Sequence, residues 1–429
     1  MQAVFTIVAK NYIPLANILG DSLRQHHPDI TFIIVVADRE DDLIDFSKQR
    51  YPIIAAENLG ITQLTEMAFK YNVTEFCTAL KPFCFRFLFN KGYKQVIYFD
   101  PDIYIFDKLD GVFSNLQVSS MVLTPHYNTI EENYTGLFRE GNILFAGIFN
   151  LGFCALKYSD NGLKIVNWWC NRLTEQCYAD RTDGLHVDQK WTDFLPMYFN
   201  DVYIEKGLGY NMAVWNWHER QLIERNGQYF IINRIKGSSE EPLIFYHFSN
   251  YHFKEASALG KFMPIQAKRF NDINHVSQFY ADLLIKENIA SQLAKLAYSY
   301  ASFDNGTPIA QFHRRFYRRL IEIGEIRSSP FETVSSTSYH NLLKRNRLLG
   351  TSSNLDKLNE SNFEGFDHKL KLLNRIAKLI KFIIGFEKYA LLCKFMYRYV
   401  RAENQAFLIE EHQDRLPFVN ENRYINTHL

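Results

Sequence analysis

Residues 96–106 read VIYFDPDIYIF: four apolar or aromatic residues, an Asp-Pro-Asp turn, then four more. A β-rich run that stops at Asp100 marks a strand end, and Pro101 fixes φ, so Asp100 and Asp102 stand together on a tight turn. In open α/β sheets ligands bind outside the carboxyl ends of the strands. Two hard oxygen ligands in that position suit Mg2+ or Mn2+, which shares its remaining positions with water and a diphosphate. An isolated Asp-x-Asp is usually a solvated turn, but here the apolar flanks confine it between buried strands.

Working outward, residues 3–9 (AVFTIVA) and 31–37 (TFIIVVA) are short apolar runs of the kind buried on both faces of a parallel sheet. Between them Tyr12 to His27 carries Leu15, Ile18, Leu19 and Leu23 at helical spacing, which completes a strand-helix-strand unit and predicts an α/β fold. Residues 79–91 read as a helix leading into strand 95–99. Further strands are expected at 120–124, 148–156, 202–204 and 243–248. Beyond about residue 270 helical patterns dominate, at 276–301, 308–324 and 366–409, separated by Ser/Asn-rich connections. The expected organisation is an α/β catalytic domain over 1–270 and a mostly helical region over 271–429.

The whole chain of 429 residues is 47% apolar and 22% charged, an ordinary globular composition that excludes a disordered or collagen-like chain. Its formal charge of +1 argues against a general nucleic-acid binder. That balance hides a cancellation: residues 368–401 carry +8, leaving −7 elsewhere. Residues 366–409 contain a basic amphipathic helix, which suits an anionic membrane surface or a packed helix with a wet lysine face. The cluster His313-Arg314-Arg315-Phe316-Tyr317-Arg318-Arg319 strengthens the membrane reading. The six cysteines form no C-x-x-C pair and read as reduced thiols. Without a signal-peptide pattern at the start or an apolar run long enough to span a bilayer, the expected location is cytoplasmic, with peripheral contact at the inner face of the membrane.

Taken together, Leu80-Lys81-Pro82, YFDPDIYIF and three later segments resemble the metal-dependent GT-A glycosyltransferases, closest to the glycogenin and lipopolysaccharide-galactosyltransferase group. Asn150-Leu151-Gly152 is similar to that group's Asn-x-Gly strand beside the donor sugar, and Asp188-Gln189 to its Asp-Gln pair near the reacting sugar carbon. His247 and Lys254 resemble its C-terminal His-x6-Lys, in which the histidine completes the metal site and the lysine meets the diphosphate. The resemblance covers residues 1 to about 260. It implies a Rossmann-like GT-A domain, Mn2+ or Mg2+ as cofactor, and retaining transfer of a hexose from a nucleotide-diphosphate sugar, expected to be a UDP-sugar, to a saccharide or lipid-linked saccharide acceptor.

The residues themselves add a nucleoside edge, because both parallel strands end on one side of the sheet. Ala9, Asn11 and Tyr12 follow the first strand and Asp38 the second, placing a stacking ring and a hydrogen-bond acceptor where a base would sit. Lys81 offers a point charge for the phosphates, or is a helix-start lysine. Trp215, Trp217, His218, Glu219 and Arg220 are candidates for the acceptor side, with core packing as the alternative for the tryptophans. Two rival functions remain: a sugar-phosphate nucleotidylyltransferase, which needs a Gly-rich, Arg-bearing loop where Ala9-Lys10-Asn11-Tyr12 stands, and a catalytically inactive nucleotide- or carbohydrate-binding module.

Overall fold

A computed structural model describes residues 1–41, 43–249, 251, 269–289, 296–322, 329–350 and 365–409. The chain divides into two units, Met1–Leu64 with Val73–Tyr298, and Thr65–Asn72 with Ser299–Leu429. The first unit therefore runs past residue 270.

The apolar runs fold as strands: β1 (Gln2–Val8), β2 (Thr31–Val36), β3 (Ile53–Ala55), β4 (Gln95–Phe99), β5 (Ile103–Ile105), β6 (Met121–Pro125) and β7 (Phe149–Lys157). Shorter strands follow: β8 (Ala179–Asp180), β9 (Leu185–His186) and β10 (Val202–Ile204). Beyond them lie β11 (Arg220–Arg225), β12 (Gln228–Asn233), β13 (Glu241–Pro242) and β14 (Phe245–His247). The main sheet has the order β10-β6-β7-β4-β1-β2-β3. β1 runs parallel to both β2 and β4, while β7 is antiparallel to its neighbours β4 and β6. This mixed sheet with helical crossovers is the α/β class expected, and the described part of the C-terminal region is mostly helical.

Helix Ile13–His26 presents Ala16, Leu19 and Leu23 to a core that includes Val4, Val8, Ile34 and Val36. Helix Asp160–Glu175 buries Ile165, Val166, Trp169 and Leu173, a stripe of helical period. Its N-cap is Ser159, whose Oγ accepts from the Gly162 N–H at 3.0 Å. Ser159→Ala is expected to cost about 1 kcal/mol, read as a lower urea midpoint with an unchanged slope.

A second core joins Trp217, Tyr246 and Phe248 to Phe270, Val276 and Tyr280, which is why residues beyond 270 belong to the first unit. Phe248 stacks on Tyr280 with ring centroids 3.8 Å apart and planes 3° from parallel. Helix Val73–Asn90 starts six residues before the expected 79, and Pro82 lies inside it rather than at its start.

In the second unit, Phe69 gathers the rings of Phe303, Tyr317, Phe331 and Tyr339 around it. Here the structure corrects one expectation. The basic cluster at 313–319 is no membrane face: His313, Arg314, Arg315, Arg318 and Arg319 are all buried. Arg314 donates to the carbonyls of Ala68, Phe69, Tyr71 and Tyr300 at 2.6–3.1 Å. Those backbone acceptors offset the cost of burying its charge.

The long basic helix is also two helices, Phe366–Ile384 and Phe386–Tyr399, broken at Gly385, whose φ of +80° suits glycine. Neither helix buries a residue. Among the described residues no helix is long and apolar enough to cross a membrane.

Candidate metal and nucleotide site

The Asp-Pro-Asp segment is a turn closed by the Ile103 N–H, which donates to the Asp100 carbonyl at 3.1 Å, with Pro101 in the position that favours its fixed φ. The chain then enters β5, which pairs antiparallel with β14 in a register that sets His247 opposite Ile103. The Phe248 N–H donates to the Asp102 carbonyl at 2.9 Å and fastens the two segments together. On the other side the Asp100 N–H donates to the Gly152 carbonyl at 2.7 Å. Backbone pairing thus ties together three segments distant in sequence.

The pairing brings His247 Nε2 to 3.1 Å from Asp102 Oδ1 and 3.7 Å from Asp100 Oδ2. One ligand atom from each residue lies within 4.8 Å of the others. The carboxylates are 30% exposed while the imidazole is almost fully buried, so the cluster opens on the carboxylate side. Two carboxylates and an imidazole form a donor set that fits a divalent transition ion such as Mn2+, and also accepts Mg2+. Burial depresses the pKa of His247, but Asp102 and then Asp100 outweigh it and raise it above the ordinary histidine value.

Next to this cluster lies a cleft of about 510 Å3 lined by Val8, Ala9, Asn11 and Tyr12 from the end of β1, and by Tyr98, Asp100 and Asp102. Phe248, Tyr251 and Tyr280 contribute aromatic surface to it. The expected nucleoside edge and metal turn therefore share one cavity. Tyr12 is 36% exposed, and burial, followed by the Asp102 charge, raises its pKa. Asp38 is fully buried and accepts from the Lys10 N–H at 2.7 Å, so its carboxylate braces the end of β1.

Lys81 and Asp188 meet each other: Nζ stands 2.5 Å from Oδ2, and both side chains are at most 2% exposed. The same ammonium donates to the Leu151 carbonyl at 2.7 Å and lies 4.2 Å from the centre of the Tyr98 ring. Tyr98 in turn donates its hydroxyl proton to Asp100. Burial disfavours the Lys81 cation, yet Asp188 and Asp100 hold its pKa above the ordinary lysine value. Gln189 accepts from the Leu151 N–H at 3.0 Å and donates to the Ala146 carbonyl at 2.9 Å. Val187, just before this pair, has φ of +43°, a strained conformation for a β-branched residue.

Asn150 and Gly152 lie on β7 beside His247. Trp215 sets its ring edge-on to His247 with centroids 5.1 Å apart, and His126 packs against the same indole at 5.4 Å. Burial pushes the His126 pKa down to about 4. Trp217 donates to the Tyr246 hydroxyl at 2.7 Å. Glu219 accepts from the backbone N–H groups of Asn128 and Thr129, and Arg220 donates to the carbonyls of Leu208 and Tyr210. His218 is buried against Tyr127 and Tyr134. All five acceptor candidates are buried, and none lines the 510 Å3 cleft. Lys254 lies outside the described residues. Reading the sequence overlooked Tyr98 and Tyr280, and it placed Asn211 in a block similar to a bacterial subgroup of the family without giving it a role; Tyr98, inside VIYFDPD, carried a signal in its place two residues before Asp100.

No family model matches the chain. It is 25% identical over 293 residues to the uncharacterized protein YfnF of Bacillus subtilis (strain 168), covering 66% of this chain and 91% of that one. It is 26% identical over 259 residues to the uncharacterized protein YfnD of the same strain, covering 57% and 76%. Among solved structures it is similar to the galactosyltransferase LgtC, crystallised with donor and acceptor sugar analogues, with a TM-score of 0.39 and 15% identity over 64% of this chain and 96% of that one. It is also similar to mouse xyloside xylosyltransferase 1, with a TM-score of 0.35 and 11% identity over 58% and 98%. Both structural likenesses are loose.

Proposed function

We propose that this chain is a metal-dependent glycosyltransferase that moves a hexose from a nucleotide-diphosphate sugar, UDP-hexose in the first instance, to a saccharide or lipid-linked saccharide, with retention. The observation that carries the reading is the convergence of Asp100, Asp102 and His247 at the edge of a cleft whose other wall is the end of β1. A divalent cation, Mn2+ or Mg2+, supplies Lewis-acid stabilisation of the charge that grows on the departing diphosphate. The protein's own part is to bind and orient. Asn11 and the Ala9 backbone position the nucleoside, Tyr12 stacks on the base, and Asp38 keeps that edge in place through its bond to the Lys10 N–H.

On the sugar side the sequence motifs assign Asp188 and Gln189, with Asn150 and Gly152, to the donor sugar, and the bond from Lys81 supports a single orientation of Asp188. Lys254 is assigned to the diphosphate by the sequence motif alone. Trp215 and the segment through Arg220 shape the acceptor side as support beneath it. The partner proposed for the C-terminal helical pair is an anionic membrane surface, with the enzyme peripheral on the cytoplasmic face.

The experiment is a melting panel of nucleotides with and without metal. UDP is expected to raise Tm only when Mn2+ or Mg2+ is present, and slow hydrolysis of one UDP-sugar is expected without acceptor. A nucleotide shift that ignores the metal overturns the site. UDP binding with no turnover across a full donor panel leaves a binding module in place of an enzyme.

A further inference from the structure

We infer that Asn150 is a positioning residue for the metal site: its side-chain oxygen holds the proton of His247 on Nδ1, so that the Nε2 lone pair faces Asp100 and Asp102. This deepens the metal role proposed above and rests on it. The orientation of the Asn150 amide is fixed independently of the histidine, because its Oδ1 accepts from the Gly152 backbone N–H at 3.2 Å and a backbone N–H can only donate. Asn211 Nδ2 donates to the same oxygen at 3.1 Å. His247 Nδ1 lies 3.2 Å from it, and beside an oxygen that only accepts, that nitrogen must carry the hydrogen.

The rest of the surroundings keep the ring in this pose. Gly152 packs so closely that a Cβ there would stand 2.3 Å from His247 Cε1 and 2.5 Å from Nδ1, so the ring lies flush against bare backbone. Asn211, which supplies the second donor, has φ of +55°, a conformation asparagine tolerates better than most residues. Its position is coupled to the histidine through the chain, since the His247 N–H donates to the carbonyl of the next residue, Met212, at 2.8 Å. Trp215 closes the remaining side. Partners of this kind on the far nitrogen of a ligating histidine set its tautomer and ring orientation, and their loss typically costs 10–100-fold in metal affinity.

The test compares Asn150→Leu, which removes the acceptor, with Asn150→Asp, which keeps it and gives up only the long 3.4 Å contact from Asn150 Nδ2 to Gln189. Two readouts are taken on the full-length chain: Mn2+ affinity from the spin-resonance signal of the free ion, and the His247 tautomer from 15N-histidine spectra with Mg2+ bound. Wild type is expected to show the Nδ1–H tautomer. Asn150→Leu is expected to lose this signature and bind Mn2+ roughly 10–100-fold more weakly, while Asn150→Asp retains the signature and stays within about threefold of wild type. An Nε2–H tautomer in wild type overturns the proposal even if the leucine variant does not fold. So does unchanged Mn2+ affinity in Asn150→Leu, or an equal loss in both variants. Absence of Mn2+ binding by wild type is a different result, and removes the proposed function itself.

Discussion

Asp102→Asn is expected to abolish the metal-dependent rise in melting temperature caused by UDP and to lower turnover by about a thousandfold or more, corresponding to ~4 kcal/mol of transition-state stabilisation. The size follows from the position of the group. Loss of an outer-shell partner costs 10–100-fold, and a direct carboxylate ligand contributes charge as well as geometry. The substitution keeps the side-chain volume, and the contact that fastens the turn uses the Asp102 backbone carbonyl, which accepts from the Phe248 N–H whatever the side chain. Neutralising Asp102 removes its repulsion with Asp100 and its attraction to the His247 imidazole together, so the metal-free protein is expected to melt within a few degrees of the wild-type temperature. A variant that keeps both the Mn2+-dependent shift and the turnover would sink the metal site. A metal-free protein that melts far lower would mean that Asp102 supports the fold instead.

Most of the scaffold was legible because the strands that build it are buried on both faces and read as unbroken apolar runs. β1, β2, β4, β6 and β7 lie within a residue or so of the expected spans, and so does β10, a partly buried edge strand of three residues. Strand Ile53–Ala55 was not legible, since three residues without a flanking motif set no period. The β11–β12 hairpin was overlooked although Asn226-Gly227, with φ of +54° and +79°, is the residue pair such a turn prefers. The site divides in the same way. Asp100 and Asp102 flank the turn where an apolar strand ends, and their chemistry was visible from residue type, whereas His247 entered through the family resemblance. The mutual pairing of Lys81 with Asp188 was not, because burial decides whether two charges point outward to a ligand or at each other. Burial also settled the arginines of 313–319, among which Arg314 finds its carbonyl partner Phe69 far away in the sequence.

Replacing Lys371, Arg375, Lys378 and Lys381 together by Glu is expected to release the protein from vesicles containing phosphatidylglycerol. At 100° per residue these four cations share one arc of helix Phe366–Ile384, while Leu372, Leu373, Ile376, Leu379 and Ile383 form the opposite face. Those five apolar side chains are 45–69% exposed, and Phe382, within the basic arc, is 83% exposed. An apolar face beside cations of a single sign, at +8 over residues 368–401, is the pattern of a helix that lies in the headgroup plane of an anionic bilayer. Each Lys or Arg near such a surface contributes about 1 kcal/mol. Losing four corresponds to roughly a thousandfold in partitioning even before the added repulsion is counted. Binding should also weaken as salt is raised, and should be slight on purely zwitterionic vesicles. Since neither helix buries a residue, the variant should melt like wild type and keep its nucleotide response, which separates docking from folding. The competing occupant of the apolar face is a second copy of the chain. Light scattering that shows a dimer, together with no sedimentation of wild type with anionic vesicles, would replace the membrane by a subunit interface.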